Sequence, residues 1–247
     1  MKETQADIHI HTCLSPCGDW DMSPMNIVEK SCEKGLDIIA VCDHNSVENA
    51  GAVIKAGKKK NLHVLPGMEI CSKEEVHVLA IFNTLEQGLI MQEYIYAHLP
   101  GNNKPDYFGY QIIVDENDMV AGENPRLLIG ATTLGLKDIV EKTKSIGGLS
   151  IAAHVDRKGF GIITQLGFIP PDLALDAVEV SWRTSPKNAV KNISGIGSLP
   201  CITSSDAHFP DDIGKARTTF IINAPVLKEI NLALKNINGR KIKDYLL

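Results

Sequence analysis

The sequence lacks the features that mark membrane-spanning and exported proteins. No apolar run approaches the roughly 18 residues that a transmembrane helix needs. Residues 1–7 are mostly polar and lead directly into a strand-like segment, so they leave no room for the apolar stretch of a signal peptide. We therefore expect the protein to be cytoplasmic.

Positive charge, aromatic residues and paired cysteines are also scarce. The formal net charge of −5 disfavours broad electrostatic binding to nucleic acid, although a local basic groove is still compatible with it. Aromatic residues make up 5% of the 247 residues, which leaves few surfaces on which bases could stack. The six cysteines include no pair of Cys-x-x-Cys motifs, so a structural zinc ribbon is not expected.

Short apolar segments alternate with segments of helical period along the chain. The segments that predict strands are 7–11, 37–42, 63–66, 76–82, 149–153, 177–181, 201–204 and 218–222. Several are continuous hydrophobic runs, which is typical of parallel strands covered on both faces. Ser23-Pro24 and Ser185-Pro186 carry the signature of a helix N-terminus. The alternation predicts an α/β fold, either a (β/α) barrel or an open doubly wound sheet.

The segment 99–130 interrupts this alternation. It is rich in Pro, Gly and Asn, and it predicts a hairpin on either side of residues 115–118. Two interpretations stay open for it. The segment could form a lid or small subdomain near a site, or it could be a structural excursion without a role in the chemistry.

The histidines follow the predicted strands in a regular way. Six of the eight lie at or just beyond the C-terminal ends of predicted strands, namely His9, His11, His44, His77, His154 and His208. In a barrel those ends form one face, where active sites are built. His63 and His98 fall outside the pattern, and we expect them to be structural.

Carboxylates stand beside these histidines. His9 and His11 are two residues apart, so they can point to the same side of a strand, and Asp7 could accept a proton from one of their imidazoles. Glu69 ends one strand beside His77 of the next, an arrangement that can bridge two metal ions. The remaining pairs are Asp43-His44 and Asp206-x-His208.

Taken in order, these residues resemble the motifs of the polymerase and histidinol phosphatase (PHP) family. The matching motifs are Asp7-x-His9-x-His11, Asp43-His44-Asn45, Glu69, His77, Ala153-His154 and Ser205-Asp206-Ala207-His208. The resemblance implies that residues 1–247 form a single distorted (β/α)7 TIM-like barrel, with the segment 99–130 inserted. It also implies a two- or three-metal site at the C-terminal face that hydrolyses phosphoesters.

The resemblance further implies a set of metal ligands. One ion would be held by His9, His11, Glu69 and Asp206. Glu69 would bridge to a second ion, which His77 and His154 would also bind, and His44 and His208 would hold a third. Imidazole and carboxylate ligands of this kind suit zinc, manganese or iron.

The loop after the first strand departs from the family pattern. Many members carry a histidine or aspartate there, whereas this chain has Cys17 near the expected place and Asp19 two residues later. A thiolate is a good zinc ligand, but a single cysteine is more often a buried thiol. Both residues therefore stay candidates for the third ion.

Catalysis and substrate binding also have candidates. Asp206 or His208 could protonate the leaving oxygen once a metal-activated water attacks phosphorus. Arg157 and Arg183 follow predicted strands and could grip phosphate through paired hydrogen bonds. The alternative for each arginine is a surface ion pair.

Three functions are compatible with these observations. The leading hypothesis is hydrolysis of a small phosphorylated substrate. The second is an exonuclease-type phosphodiesterase acting on oligonucleotides, which the acidic charge and low aromatic content disfavour. The third is a non-catalytic, metal-stabilised interaction domain, which predicts missing ligands, whereas every core ligand position is filled here.

Overall fold

A computed structural model describes residues 1–193 and 195–243. The strands in these ranges are β1 (Lys2–Ile10), β2 (Ile38–His44), β3 (His63–Cys71), β4 (His77–Ile81), β5 (Ile112–Val114), β6 (Val120–Glu123), β7 (Leu149–Ala152), β8 (Ala177–Val180), β9 (Cys201–Thr203), β10 (Thr218–Ile222) and β11 (Lys241–Ile242). The helices are α1 (Pro24–Glu33), α2 (Ala50–Lys59), α3 (Leu85–Tyr96), α4 (Pro105–Phe108), α5 (Leu136–Ser145), α6 (Ile162–Leu166), α7 (Pro186–Asn192) and α8 (Leu227–Leu234). Each predicted strand is present.

Nine of these strands form one sheet, in the order β11-β10-β1-β2-β3-β4-β7-β8-β9. The sheet curls, because the chain just after β9 returns to the end of β1. There the amide of His11 donates to the carbonyl of Ala207 at 3.0 Å, and Ile10 forms an isolated parallel bridge with Ala207. The distorted α/β barrel predicted from the sequence is confirmed. The number of seven strands in its wall stays a prediction.

One expectation about strand direction is wrong. Strand β4 runs antiparallel to both of its neighbours, β3 and β7, so the sheet is mixed. The cause is the short connection between β3 and β4, in which the amide of Ser72 donates to the carbonyl of Val76 at 2.9 Å. So short a turn can join only antiparallel strands, since a parallel crossover needs a dozen or more residues.

Inside the barrel, apolar side chains fill the lower end, and polar side chains line the upper end, at which β2 finishes. Alternate residues of a strand share one face. Ile38, Ala40 and Cys42 of β2 belong to the inner apolar cluster, and the same alternation delivers His44 at the end of the strand. Leu65 of β3 leads in the same way to Glu69. Polar side chains therefore form a layer on top of an apolar plug.

The outer face of the sheet packs against the helices. A larger apolar cluster joins Ile39 and Val41 of β2 to Ile27 of α1, Val53 of α2 and Ile139 of α5. Among the helices of the described residues, none combines enough length with enough apolarity to cross a bilayer.

The segment 99–130 contains the predicted hairpin, in which β5 pairs antiparallel with β6. Asn49 holds this hairpin against the loop after β1. Its amide group donates to the carbonyl of Ile112 and to Oγ1 of Thr12, both at 3.0 Å, and its Oδ1 accepts from the amide of Val114 at 3.0 Å. At the hairpin turn, Asp118 accepts from Oγ of Ser23 at 2.7 Å. The insertion is therefore hydrogen-bonded to the body of the barrel at several points.

Replacing the buried Asn49 by alanine should destabilise the protein. Asn49→Ala leaves the carbonyl of Ile112 and the amide of Val114 without their partners, so we expect the free energy of unfolding to fall by about 2 kcal/mol. Urea denaturation followed by circular dichroism measures this change. The exposed Asn83 provides the control, and Asn83→Ala should stay within about 0.5 kcal/mol of the parent. Equal stability of the two variants would contradict the role given to Asn49.

Candidate metal centre

Glu69 lies at the centre of the polar layer, and its two oxygens face different histidines. Oε1 lies 2.8 Å from Nδ1 of His77 and 2.9 Å from Nε2 of His154. Oε2 lies 3.1 Å from Nδ1 of His44 and 3.5 Å from Nε2 of His11. Burial alone would raise the pKa of this carboxyl, but the surrounding imidazoles, His77 foremost, hold it well below its usual range. Glu69 is therefore a carboxylate placed between two groups of nitrogen ligands.

His9 and His11 point their Nε2 atoms at the same spot. The two atoms are 3.2 Å apart. Nδ1 of His9 lies 3.0 Å from a carboxylate oxygen of Glu179, which can only accept, so that nitrogen carries the proton. Nδ1 of His11 lies 2.9 Å from Oγ of Ser15, whose own proton goes to Asp43 at 2.7 Å. When both imidazoles are neutral, as metal ligands are, their Nε2 atoms therefore present lone pairs to each other.

Asp206 adds a third acceptor at this spot. Its Oδ1 lies 3.2 Å from Nε2 of His9 and 3.1 Å from Nε2 of His11, and it is buried without a hydrogen-bond partner. Burial opposes charge on this carboxyl, but the charge of His9 and the contact with His11 keep its pKa below its ordinary value. Although burial opposes charge on His9, the carboxylates around it raise its pKa well above its usual value, so this spot favours a positive charge, which either a proton on His9 or a bound cation supplies. This donor set fits a divalent metal ion.

Three groups within the cluster have ligand atoms close enough to share an ion. They are His9, His11, Glu69 and Asp206, then His44, Glu69 and His77, and finally His11, His44 and His208. His154 joins the cluster through Glu69. The structure thus brings together all six histidines that sequence reasoning selected. His77 does so from the start of β4, not from a strand end as expected, because that strand runs against its neighbours.

Two of the cluster residues have strained backbones. His154 has φ of 29° and Asp206 has φ of 52°, in the left-handed region that side chains with a Cβ rarely adopt. Strain of this kind costs on the order of 1–3 kcal/mol and is typical of functional sites. The surrounding structure holds both side chains over the polar layer at this cost.

Cys17 and Asp19, the two candidate metal ligands in the loop after β1, make different contacts. Sγ of Cys17 lies 3.2 Å from Nε2 of His44. Desolvation of the thiol opposes its ionisation, but hydrogen bonds from His208 and His44 lower its pKa to about 6. Oδ1 of Asp19 instead accepts from the amide of Asp21 at 2.8 Å, within its own turn. The structure therefore places Cys17, and not the Asp19 carboxylate, beside the third group of ligands.

Arg157 and Arg183, the two candidates for phosphate binding, also make different contacts. Arg157 contacts Oδ2 of Asp206 through its guanidinium, so it reaches the edge of the cluster. Arg183 is exposed and lies over the ring of Trp182, with its guanidinium carbon 5.1 Å from the ring centre. Within the described part of the chain, Arg183 has no ion pair.

Sequence reasoning assigned one supporting residue wrongly and missed two. Asp7 does not contact an imidazole; it accepts from the amides of Ser205 at 3.0 Å and Gly214 at 2.9 Å. Glu179 has the role expected of Asp7, and its signal was a charged residue inside the otherwise apolar run of β8. Ser15 orients His11, but a serine in a polar loop carries no such signal.

Comparisons with known proteins identify relatives of this chain. The PHP domain model matches residues 7–146, and the PHP-associated model matches residues 197–236. An uncharacterised protein of Methanocaldococcus jannaschii is 27% identical over 198 residues, which cover 77% of this chain and 88% of that protein.

Solved structures share the fold at low identity. The lesion-specific endonuclease PfuEndoQ from Pyrococcus furiosus has a TM-score of 0.74 and 20% identity, over 98% of this chain and 58% of the endonuclease chain. A second structure of endonuclease Q, with the same TM-score, holds a duplex substrate with an abasic lesion at the active site. A protein assigned as a metal-dependent phosphoesterase from Bifidobacterium adolescentis has a TM-score of 0.57 and 19% identity, over 82% of this chain and 87% of that chain. This chain thus spans little more than half of the endonuclease.

Removing the carboxylate that orients His9 should weaken metal binding. In Glu179→Gln the amide can turn its NH₂ towards Nδ1 of His9 and reverse the tautomer, so we expect affinity for zinc or manganese to fall by about 10- to 100-fold. Titration against a fluorescent chelator measures the affinity. Glu33→Gln, an exposed change on α1, is the control and should leave the affinity unchanged. Equal affinities in both variants would exclude this role for Glu179.

Proposed function

The chain belongs to the PHP family, and from this premise we propose that it hydrolyses phosphoesters with divalent metal ions held by the buried histidine–carboxylate cluster. The observation that carries the proposal is the position of Glu69, whose two oxygens face separate sets of imidazoles. When bound, such ions lower the pKa of a water molecule and neutralise charge that builds up on phosphoryl oxygens.

We assign the ligands in three overlapping groups. His9, His11, Glu69 and Asp206 form the first group, and Glu69 extends to His77 and His154 as the second. His44, His208 and Cys17 form the third, in which the thiolate would favour zinc over manganese. The geometry around Cys17 supports a third ion, and Asp19 is the weaker candidate because its carboxylate caps its own turn.

When the third group holds no ion, His208 is our first choice for delivering a proton to the leaving oxygen, because an Nε2 that binds a metal has no proton to give. Its Nδ1 lies 2.9 Å from the carbonyl of Asp206, which can only accept, so Nε2 is left facing the cluster. Its side chain is also more exposed than that of Asp206, which is the alternative acid. A leaving group at the open side of the cluster would therefore meet His208 first.

Arg157 is positioned to hold the substrate phosphate. Its guanidinium contacts Asp206 at the edge of the cluster, and it is half-buried. Guanidinium groups bind phosphate through paired hydrogen bonds, so a phosphoryl group above the cluster would find a donor already in place. Arg183 stays a second candidate for substrate binding, but its position over Trp182 gives it less support.

Two substrate classes fit this site. A small phosphorylated molecule needs only the cluster and Arg157. A phosphodiester in nucleic acid is the second candidate, and its support is the likeness in fold to endonuclease Q over 98% of this chain. The non-catalytic alternative has less support, because all the core ligands are present in one cluster. Nitrophenyl phosphate and bis-nitrophenyl phosphate, assayed with added zinc and manganese, separate monoesterase from diesterase activity.

Loss of a central ligand should abolish turnover while the fold is retained. We expect Glu69→Ala, His9→Ala and Asp206→Ala each to lower kcat/KM by about 10³-fold or more, because the ions that carry the reaction would be lost or misplaced. Metal analysis of each purified variant should show a reduced content. Glu86→Gln, on the exposed side of α3, is the control. Normal rates in the three ligand variants would refute the proposed function.

Removal of the Arg157 guanidinium should weaken substrate binding. A charge-assisted hydrogen bond contributes about 1.5–3 kcal/mol, so Arg157→Ala should lower kcat/KM by about 10- to 100-fold. Arg157→Lys should recover part of the loss, because the charge remains but the paired geometry does not. Arg217→Ala serves as the matched control, since Arg217 donates to the carbonyl of Lys34. A parent-like rate in Arg157→Ala would remove Arg157 from the site.

A further inference from the structure

The few aromatic side chains of this protein are mostly at its surface. Phe82 and Phe220 are fully buried, but eight other described aromatic residues are exposed. Aromatic rings normally contribute to cores, because each buries a large apolar area. Four of the exposed rings lie on loops that leave the sheet at the polar layer, and a fifth, in the insertion, contacts one of them. We call the five the aromatic rim: Trp20, Phe160, Trp182, Phe209 and, from the insertion, Tyr110.

Two members of the aromatic rim adjoin ligand histidines directly. Phe160 stacks on His77, with ring centres 4.4 Å apart and an interplanar angle of 19°, and its carbonyl accepts from the amide of His77 at 2.9 Å. Phe209 follows His208 in the chain. Their rings are 43% and 52% exposed, so each leaves part of its apolar surface in solvent beside the cluster.

Trp20 and Tyr110 form a pair on another side of the rim. The amide of Asp19, next to Trp20, donates to the carbonyl of His208 at 2.8 Å. The rings of Trp20 and Tyr110 meet edge to face, with centres 5.5 Å apart. Trp20 is nevertheless 67% exposed, which is unusual for so large an apolar side chain.

Trp182 completes the rim beside the cationic groups. Ser181, the preceding residue, donates through its amide and its hydroxyl to Asp156 at 2.8 and 2.7 Å, and Asp156 is the neighbour of Arg157. The Arg183 guanidinium lies over the Trp182 ring. Trp182 and the two arginines therefore lie on two loops that are hydrogen-bonded to each other.

We propose that the aromatic rim binds unpaired nucleobases on either side of the scissile phosphate, so that the substrate class is single-stranded or locally unpaired nucleic acid. The inference rests on the proposed phosphoester hydrolysis at the same site. Every base has a face that can stack on an aromatic ring, and Arg157 supplies a donor for the phosphate between bases. Separate rings on different loops, two of which also carry an arginine, suit a chain of alternating bases and phosphates better than the continuous apolar face of a protein partner.

The net charge of −5 makes the inference more specific. Proteins that depend on phosphate contacts are basic, and their affinity falls steeply with salt. Here stacking must contribute more of the affinity than charge, so binding should depend on the bases and only weakly on salt.

The two tryptophans of the chain, Trp20 and Trp182, provide a direct readout, since both belong to the rim. The metal-loaded protein is titrated with a phosphorothioate oligothymidylate of about 12 nucleotides, within the site sizes of single-strand binders. A backbone of the same length and charge that lacks bases is titrated in parallel. We expect saturable quenching of tryptophan emission by the first, with at least about tenfold weaker binding of the second. Blunt duplex DNA should also bind more weakly.

Alanine variants of the two tryptophans test whether the rim itself binds the bases. Trp20→Ala and Trp182→Ala should each weaken binding of the oligothymidylate by about 5- to 100-fold and leave binding of the abasic backbone unchanged. Phe168→Ala is the matched control, because this exposed ring lies on the segment that enters β8 and outside the rim. It should bind both ligands as the parent does.

Equal binding of the two single strands, or tighter binding of duplex, would overturn the proposal. Hydrolysis of bis-nitrophenyl phosphate by the same preparation tests the proposed function separately. Turnover without base-dependent quenching rejects the aromatic rim as a base-binding surface and retains phosphoester hydrolysis. Base-dependent quenching without turnover of any phosphoester supports the rim and rejects the hydrolysis.

Discussion

The structure depends on one electrostatic constraint, the crowding of electron-rich atoms in a buried place. Nε2 of His9, Nε2 of His11 and Oδ1 of Asp206 lie within 3.2 Å of one another, and their protons are directed elsewhere by Glu179 and Ser15. Buried acceptors in such an arrangement need a donor or a cation, and a proton on His9 or a bound metal ion meets that need. The hydrogen bonds from His9 to Glu179 and from His11 to Ser15 leave both Nε2 atoms directed at a place where a positive charge can be shared.

The barrel meets this constraint by combining strands of both directions. Parallel strands deliver His44 and Glu69 at their ends, and the antiparallel β4 delivers His77 at its beginning, so that all three arrive at one edge. The connections after β7 and β9 must turn sharply at this edge. The positive φ angles of His154 and Asp206 show where the backbone is strained to do so. The apolar plug and the packed helices provide the stability that offsets this strain.

Much of the fold was predictable from the sequence, because buried strands are continuous apolar runs and most ligands end such runs. The direction of β4 was not, since strand propensity does not depend on direction; the short turn at residues 72–76 was the available signal. Glu179 stood out only as a charge within β8. The choice between Cys17 and Asp19 depends on which side chain its loop turns inward, and the reach of Arg157 compared with Arg183 depends on loop paths. The periodicity of the sequence reveals neither the direction of a loop side chain nor the path of a loop.

The apolar plug beneath the ligands restricts the path by which ions and water molecules enter and leave the site. Within the part of the chain that the structure describes, Leu65, Leu79, Ile151 and their neighbours close the barrel from below and offer an ion or a water molecule no polar route through that end. Everything that enters or leaves must pass between the loops above. Ions can therefore load after the barrel has closed, and the speed of their exchange is governed by the width of that opening.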